Sequence, residues 1–329
     1  MGEQDQSTTP ARAAVDPLHE QFRHDVLTGL SQARKVIPAR WFYDRRGSEL
    51  FEAITALPEY YPTRTEIGIL QDCCVDVAGV VGAGRAVVEF GAGSAAKTPL
   101  LLDWISPAAY IPVDISGDFL RDSCDSLQTR YPDLPIVPIV ADFTFPVELP
   151  PAAEGEPLLG FFPGSTIGNM RPAEAVDLLR SMRASLNCGS YLLIGMDLIK
   201  DRDVLIAAYD DAAGVTAAFN INVAARINRE LGGTIPLDAL AHKAVWNEPM
   251  ARIEMHLEAQ RELAFEVSGH QFGLAAGETI HTENSHKYSI DSGNLLLLAG
   301  GWEPVAHYVD KDDLFMVVLA RSMSDDLTA

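Results

Sequence analysis

The chain has 329 residues, of which 47% are hydrophobic and 22% charged, an ordinary composition for a globular protein with a buried core. Its 46 acidic and 25 basic residues give a net charge of −21, which argues against a nucleic-acid backbone or an anionic membrane as the main partner. The four cysteines have no CxxC spacing, so neither a structural zinc site nor a disulfide framework is expected.

Residues 1–17 are polar and lack the apolar segment of a signal peptide, so we expect them to form a disordered tail. No apolar run approaches the ~20 residues that a membrane helix needs, which predicts a soluble protein of the cytoplasm. Apolar residues then recur at helical spacing from Leu18 to Leu30, and we expect the first helix there.

Two further helices are expected before the first buried strand. Ser48 would cap a helix that runs to Leu57, where Pro58 would end it. A loop with two tyrosines would follow, and Thr65 would then cap a helix over residues 66–80.

From Ala86 onward, short apolar segments alternate with helical ones, which is typical of a parallel sheet covered by helices on both faces. The expected strands are residues 86–93, 109–115, 134–143, 158–165 and 191–198. The expected helices between them are residues 98–105, 117–130 and 173–186.

The rhythm changes after the fifth of these strands. Residues 201–231 have a helical pattern, and residues 251–284 alternate polar and apolar side chains as antiparallel strands do. The α/β pattern then resumes with a helix and two closely spaced strands, which we expect to pair as a hairpin.

We therefore expect an α/β fold in which the core is interrupted by an insertion. The core would consist of residues 64–198 and 287–329, with a seven-stranded sheet that ends in an antiparallel hairpin. A second, α+β domain would be formed by residues 18–63 and 199–286 and would bind the substrate.

The segment VVEFGAGSAAK predicts a cofactor site at the end of the first buried strand. Gly91 begins a glycine turn there, which lets a ligand approach the backbone and faces it with helix N–H groups. Asp114 lies at the end of the second strand and can accept hydrogen bonds from both hydroxyls of a ribose. Asp142 and Phe143 end the third strand and could bind adenine. Ligand sites of open α/β sheets lie at the carboxyl ends of the strands, so these signals converge.

A glycine turn and a ribose-binding carboxylate fit a dinucleotide as well as S-adenosylmethionine. The terminal hairpin favours the second cofactor, because a seven-stranded sheet with an antiparallel last strand resembles the class I, Rossmann-like methyltransferases. An NAD-linked dehydrogenase remains the alternative from another reaction class, although the sequence has no obvious His–Asp pair for hydride relay.

Longer motifs resemble the histidine N-alpha-methyltransferase family, which catalyses the first step of ergothioneine biosynthesis. The resemblance covers nearly the whole chain after residue 17. It is carried by WFYDRRGSELFEAITALPEYYPTRTE (41–66), FFPGSTIGNM (161–170), MDLIKD (196–201), YDDAAGVTAAFNINVAARINREL (209–231), RIEMHLEA (252–259) and TENSHKY (282–288). It implies three successive transfers from S-adenosylmethionine to the α-amine of L-histidine, giving hercynine.

The resemblance also implies a role for individual residues. Tyr43 and Tyr60 would line the amine and ring side of the pocket, with Tyr43 and Asn169 nearest the chemistry. Asn169 would bind the α-amino and carboxylate groups and Tyr209 the carboxylate. Met255 would pack on the side-chain ring, and Glu283 and Ser285 would hydrogen-bond the imidazole nitrogens. The residues that would bind S-adenosylmethionine are Gly91, Lys97, Asp114, Asp142 and Phe143.

The family includes relatives that act on tryptophan derivatives, so the resemblance by itself leaves open which aromatic ring the substrate carries. Imidazole has two nitrogens, which a carboxylate and a hydroxyl can satisfy together. Indole has a single donor and would match a buried glutamate poorly. Glu283 and Ser285 therefore favour histidine, while another aromatic amino acid and a non-catalytic amino-acid-binding relative remain alternatives.

The expected partner is a small molecule, L-histidine, with no nucleic acid and no membrane, and we expect a monomer. His281 and His286 could suggest a pair of metal ligands, but the resemblance implies no metal. The sequence identifies no general base; tyrosine hydroxyls or water could relay the proton that leaves the amine.

Overall fold

The computed structural model describes residues 17–93, 95–155 and 158–324, so the expected disordered tail lies outside them except for its last residue. The helices are α1 Pro17–Leu30, α2 Arg45–Thr55, α3 Tyr61–Val81, α4 Thr98–Ile105, α5 Gly117–Arg130, α6 Pro172–Leu186, α7 Arg202–Tyr209, α8 Val215–Leu231 and α9 Ile290–Ala299. Across these ranges no helix combines the length and the apolar character needed to cross a bilayer.

The first six strands are β1 Lys35–Val36, β2 Ala86–Phe90, β3 Ala109–Asp114, β4 Ile139–Val140, β5 Leu158–Phe162 and β6 Tyr191–Asp197. The others are β7 Leu240–Asn247, β8 Arg252–Ala259, β9 Leu263–Val267, β10 His270–Leu274, β11 Thr279–His286, β12 Trp302–Val309 and β13 Phe315–Ser322.

Seven strands form one sheet in the order β12-β13-β6-β5-β2-β3-β4. Strands β4, β3, β2, β5 and β6 pair in parallel, whereas β13 pairs antiparallel with both β6 and β12. The strands are apolar because both faces are covered, and a separate buried cluster packs on each face. This confirms the expected α/β class with a seven-stranded sheet and a terminal hairpin.

The inserted segment forms a four-stranded sheet in the order β1-β11-β8-β7 and a separate β9–β10 hairpin. Strand β8 alternates buried and half-buried residues, because one face packs on the hydrophobic cluster that also contains residues of α1, α2, α7 and α8. The division into two domains at the expected boundaries stays a prediction.

Several expected element bounds are wrong. The helix expected to run to Leu57 ends at Thr55, and the strands expected over residues 86–93 and 158–165 end at Phe90 and Phe162. Helix α2 begins at Arg45 because the Asp44 carboxylate, rather than Ser48, accepts from a backbone N–H of its first turn. Helix α3 begins at Tyr61 rather than after Thr65, since a proline is tolerated in a first turn where its missing N–H costs no hydrogen bond.

The third core strand, expected over residues 134–143, pairs as a strand only at Ile139–Val140. Pro135 and Pro138 lie in this segment. Because proline has no N–H to donate to a ladder, they limit regular pairing here, and a single bridge between Tyr110 and Ile136 precedes the strand.

Candidate active site

A cavity of about 1360 Å³ lies between the carboxyl ends of β2, β3 and β5 and the face of the four-stranded sheet. Most small-molecule sites have roughly 300–1,000 Å³, so this cavity has room for a cofactor and a second ligand. Its wall includes all the residues expected at the cofactor, and Tyr43, Tyr60, Asn169 and Glu283 of those expected at the substrate.

The glycine turn follows β2 directly. Gly91 has φ +73° and its N–H donates to the Val113 carbonyl at 2.8 Å, which ties the turn to β3. A Cβ at this position would lie 3.6 Å from the Phe143 ring. A side chain at this position would contact the ring and have to adopt a positive φ, so glycine keeps the backbone of the turn open to a ligand.

Glu89, two residues before this turn, is buried and accepts from Thr98 at 2.6 Å and Tyr110 at 2.8 Å. Burial raises its pKa to about 7, against the opposing effect of these two hydrogen bonds. Through these two hydrogen bonds its carboxylate connects the start of α4 to β3, next to the glycine turn.

Asp114 ends β3 with its carboxylate held by two backbone groups. It accepts from the Gly93 N–H at 3.2 Å and the Ser116 N–H at 2.8 Å. Burial raises its pKa, and these hydrogen bonds oppose that rise. A fixed carboxylate beside the glycine turn is the expected acceptor for a pair of ribose hydroxyls.

Asp142 and Phe143 line the cavity on the far side of the turn. The Arg40 guanidinium donates to Asp142 at 2.8 Å, and the same arginine binds Asp25 of α1 at 2.5 Å. Phe143 packs edge-on against Phe162, with ring centroids 5.8 Å apart. The arginine thus connects the adenine side of the expected cofactor site to the N-terminal helix, a contact for which the sequence offered no signal.

Lys97 lies at the N-terminus of α4, where its ammonium pairs with the buried Glu66 of α3 at 2.5 Å. Glu66 also accepts from the Gly164 N–H at 2.9 Å. A Cβ at Gly195 of β6 would lie 2.1 Å from the Glu66 carboxylate, so this glycine makes the space for it. Lys97 reaches the cavity as one half of a buried ion pair.

Tyr43 and Tyr60 stand on the opposite wall, at the two ends of α2. Both pack edge-on against Phe51, with centroid distances of 5.7 and 6.2 Å. Burial is the main cause that raises both pKa values well above 10, and the Glu283 carboxylate adds to it. Both side chains are therefore neutral phenols at physiological pH.

Asn169 and Glu283 are brought together although 114 positions separate them in the chain. The Asn169 amide donates to the Glu283 carboxylate at 3.0 Å. Burial raises the Glu283 pKa to about 7; the Lys287 charge and the Asn169 hydrogen bond both act against that rise. Glu283 is thus a carboxylate at the cavity wall that titrates near neutral pH.

Tyr209, Met255 and Ser285 are not part of the described cavity wall; they are buried beside it, with exposures of 8%, 1% and 4%. Met255 of β8 pairs with Glu283 of β11 across the ladder. The Tyr209 hydroxyl lies 2.7 Å from the Ser285 hydroxyl. These three residues therefore surround Glu283 from behind rather than lining the open volume.

A group of buried charges next to Ser285 was missed by sequence reasoning. The Lys287 ammonium binds Asp197 of β6 at 2.7 Å, and Lys200 binds the other oxygen of Asp197 at 2.6 Å. The Tyr61 hydroxyl also donates to Asp197 at 2.8 Å. Asp197, Lys200 and Lys287 lie in the motifs MDLIKD and TENSHKY, but only the fold shows that the two motifs meet.

His281 is grouped with His256 and Glu254, and not with His286, in the cluster of side chains that could hold a metal ion among the described residues. His281 stacks on His256 with centroids 4.8 Å apart, and these two imidazoles and Glu254 place ligand atoms within 4.8 Å of one another. Arg252 already binds Glu254, with Nη2 at 2.6 Å and Nε at 2.8 Å. Because Glu254 is the only carboxylate of this cluster and is ion-paired with Arg252, we interpret the cluster as an ion-pair network.

Comparison with known proteins assigns the family. A model of histidine-specific, SAM-dependent methyltransferases matches residues 22–322. A histidine N-alpha-methyltransferase of Mycolicibacterium smegmatis is 43% identical over 281 residues, which cover 84% of this chain and 87% of the relative. One from Mycobacterium tuberculosis is 38% identical over 311 residues, 93% of this chain and 96% of the relative.

A third relative, ergothioneine biosynthesis protein 1 of Neurospora crassa, is 26% identical over 304 residues. This match covers 87% of the present chain and 33% of that longer protein. The methyltransferase sheet, the cavity at its carboxyl edge and these matches agree with one another. The chain belongs to the family of histidine-specific, S-adenosylmethionine-dependent methyltransferases.

Proposed function

We propose that this enzyme carries out three successive methyl transfers to the α-amine of one L-histidine molecule, giving hercynine for ergothioneine biosynthesis. The observation that carries the substrate assignment is the Asn169–Glu283 pair at the cavity wall, with Ser285 two residues further along β11. Asn169 and Glu283 offer an amide and a carboxylate to one amino acid with a polar five-membered ring, and Ser285 places a hydroxyl next to Glu283, behind the open volume.

The cofactor half of the cavity fits S-adenosylmethionine. Gly91 leaves the backbone of the turn open to close approach by the cofactor, Phe143 lines the cavity beside it, and Asp114 offers a fixed carboxylate to ribose hydroxyls. Asp142 would contact the adenine edge, and Lys97 would stand near the carboxylate of the methionine part. When bound, the cofactor supplies the electrophilic methyl group.

On the substrate side, Asn169 would anchor the amino and carboxylate groups, Tyr209 would act together with Ser285, to which its hydroxyl is hydrogen-bonded, and Met255 would support the ring from the neighbouring strand. Glu283 would accept the imidazole N–H while Ser285 serves the second nitrogen. Tyr43 and Tyr60 would face the amine. Holding the carboxylate and the ring fixed while the amine keeps free space beside it allows three transfers in one site.

The protein's contribution to the chemistry is alignment and exclusion of water. The amine reacts as its neutral form, so a proton leaves it before each transfer. The raised pKa values of Tyr43 and Tyr60 keep both phenols protonated, so they act as neutral hydrogen-bond partners that can orient the amine lone pair rather than as bases. The proton would pass through these hydroxyls and water rather than to a dedicated base.

Glu283 also separates this proposal from a tryptophan-directed reaction. A carboxylate at that position satisfies one N–H, but indole offers nothing to the Ser285 hydroxyl and would displace the side chains around it. We propose further that the enzyme acts in the cytoplasm as a monomer, without nucleic acid or membrane. Support comes from the charge of −21 and from four cysteines without a disulfide.

The test is mass spectrometry of the purified chain with S-adenosylmethionine and an equimolar mixture of the twenty amino acids. Histidine carrying three added methyl groups, with other amino acids unchanged, supports the proposal. Partial methylation that stops at one or two groups contradicts the trimethylation step, and methylated tryptophan contradicts the substrate. Light scattering of the same sample tests the monomer.

A further inference from the structure

The Lys287 ammonium is fully buried, with a side-chain exposure of 0%, directly behind the proposed ring-binding residues. Glu283 and Ser285 alternate along the end of β11, so their side chains point to the same side of the strand. Lys287 follows the last residue of β11, and its ammonium lies on the side of Ser285, 2.8 Å from the Ser285 hydroxyl. Burying an unpaired ammonium costs free energy, so the partners of Lys287 must offset the cost of its burial.

The three N–H donors of Lys287 have three different acceptors. They are an Asp197 oxygen at 2.7 Å, the Ser285 hydroxyl at 2.8 Å and the Tyr209 hydroxyl at 2.9 Å. An ammonium group donates three hydrogen bonds and accepts none. Lys287 is thus fully satisfied, and both hydroxyls necessarily accept from it.

This fixes the remaining hydrogen-bonding capacity of the two hydroxyls. Ser285 and Tyr209 lie 2.7 Å apart and share one further hydrogen bond, which uses one of their two hydrogens. Each oxygen already accepts one hydrogen bond from Lys287, so the pair retains one O–H that these contacts do not use. Whichever of the two donates within the pair, the other is left as a donor.

We propose that Lys287 is a positioning residue for substrate selection, which holds the Ser285–Tyr209 pair as a hydrogen-bond donor toward the imidazole nitrogen that carries no proton. The proposal rests on the proposed function, because it assumes that histidine is the substrate. A neutral imidazole has one donor nitrogen and one acceptor nitrogen. Glu283 as acceptor and the hydroxyl pair as donor match that ring with a single tautomer.

The charge of Lys287 supports the same arrangement at Glu283. Among the influences that keep the Glu283 pKa from rising further on burial, the Lys287 charge is the largest. Other groups that face Glu283 are the phenols of Tyr43, Tyr60 and Tyr209. Lys287 therefore favours an ionised Glu283, an acceptor, beside hydroxyls that it turns into donors.

Lys200 provides a matched control. Its ammonium binds the same carboxylate, Asp197, at 2.6 Å and is also largely buried, with 7% exposure. Its other side-chain partner is the Tyr61 hydroxyl at 2.7 Å. Replacing either lysine by methionine removes one buried charge from Asp197, but only Lys287→Met removes donors from Ser285 and Tyr209.

The experiment compares L-histidine with 3-(2-thienyl)alanine, whose five-membered ring has no N–H and only a weak acceptor. For the parent chain, Lys287→Met and Lys200→Met, kcat/KM is measured for both amino acids. Where thienylalanine turns over too slowly, its inhibition constant against histidine gives the ratio. We expect Lys287→Met to lower the preference for histidine by about tenfold or more, since one oriented polar contact is lost, and Lys200→Met to leave it within about twofold.

A purely structural role for Lys287 would lower the rates with both amino acids together and leave the preference unchanged, which would overturn the proposal. An equal loss of preference in Lys200→Met would overturn it too. If Lys287→Met fails to fold, the double variant Asp197→Asn/Lys287→Met removes the buried carboxylate that would keep only one of its two lysines, and the same ratio is measured against Asp197→Asn alone. A parent chain that does not methylate histidine would refute the proposed function instead.

Discussion

Glu283→Gln is expected to make the ligand-free protein more stable at alkaline pH while it weakens histidine turnover. The substitution keeps the shape of the side chain and an oxygen that can accept from the Asn169 amide, at 3.0 Å in the parent. It removes the cost of a buried charge. Binding sites often carry residues that are unfavourable until the ligand arrives, and this change separates the two effects.

The sign and size of the stability difference between Glu283→Gln and the parent follow from the pKa of Glu283, which burial raises from 4.5 to about 7. Below pH 4.5 the carboxyl is protonated in the folded and the unfolded chain, and burial of the charge costs nothing. As pH rises to 7, only the unfolded chain loses the proton freely, so the parent loses stability. At about 1.4 kcal/mol per pH unit the shift corresponds to roughly 3 kcal/mol above pH 7.

The side chain faces a cavity that can hold water, so we take this value as an upper limit and expect about 1–2 kcal/mol. For a chain of this length that is a rise in Tm of a few degrees. The assay is chemical denaturation of Glu283→Gln and the parent from pH 5 to pH 8.5. Glu89 titrates in the same range, but it is common to both proteins and cancels in the difference.

Glu278→Gln is the matched control on the same strand ladder. The Lys35 ammonium, 2.6 Å away, lowers the pKa of this carboxyl, so its removal should destabilise the protein at neutral pH, with the opposite sign. A Glu283→Gln variant that is less stable than the parent at pH 8, or a difference that does not change between pH 5 and pH 8, would refute the reasoning.

Two further predictions concern the cofactor and the thiols. Asp114→Asn should weaken binding of S-adenosylhomocysteine by about tenfold or more, because the charged acceptor for the ribose is lost; calorimetry measures this, and unchanged affinity would contradict the assignment. Cys188 is exposed whereas Cys73, Cys74 and Cys124 are buried, so a thiol reagent should label the native chain once, with activity retained. Mass spectrometry counts the adducts, and rapid labelling of a second thiol would contradict the described packing.

The sequence by itself determined the elements whose signal is local. Apolar strands alternating with amphipathic helices predicted the parallel sheet, and the short connection near the C-terminus predicted the β12–β13 hairpin. The glycine turn, Asp114, Asp142 and Phe143 were predictable as a group because carboxyl ends of parallel strands meet at one edge. The long motifs then indicated the family.

Only the tertiary structure showed which residues pack together beyond the carboxyl edge of the parallel sheet. It placed Asn169 against Glu283, and it brought Asp197 and Lys200 of one motif to Lys287 of another. No periodicity reports such contacts, because they depend on how β11 docks beside β6 and not on the residues next to them in the chain. The same burial that hides Lys287 from sequence reasoning also forces its three donors onto Asp197, Ser285 and Tyr209, since a buried ammonium must find all its acceptors within the protein.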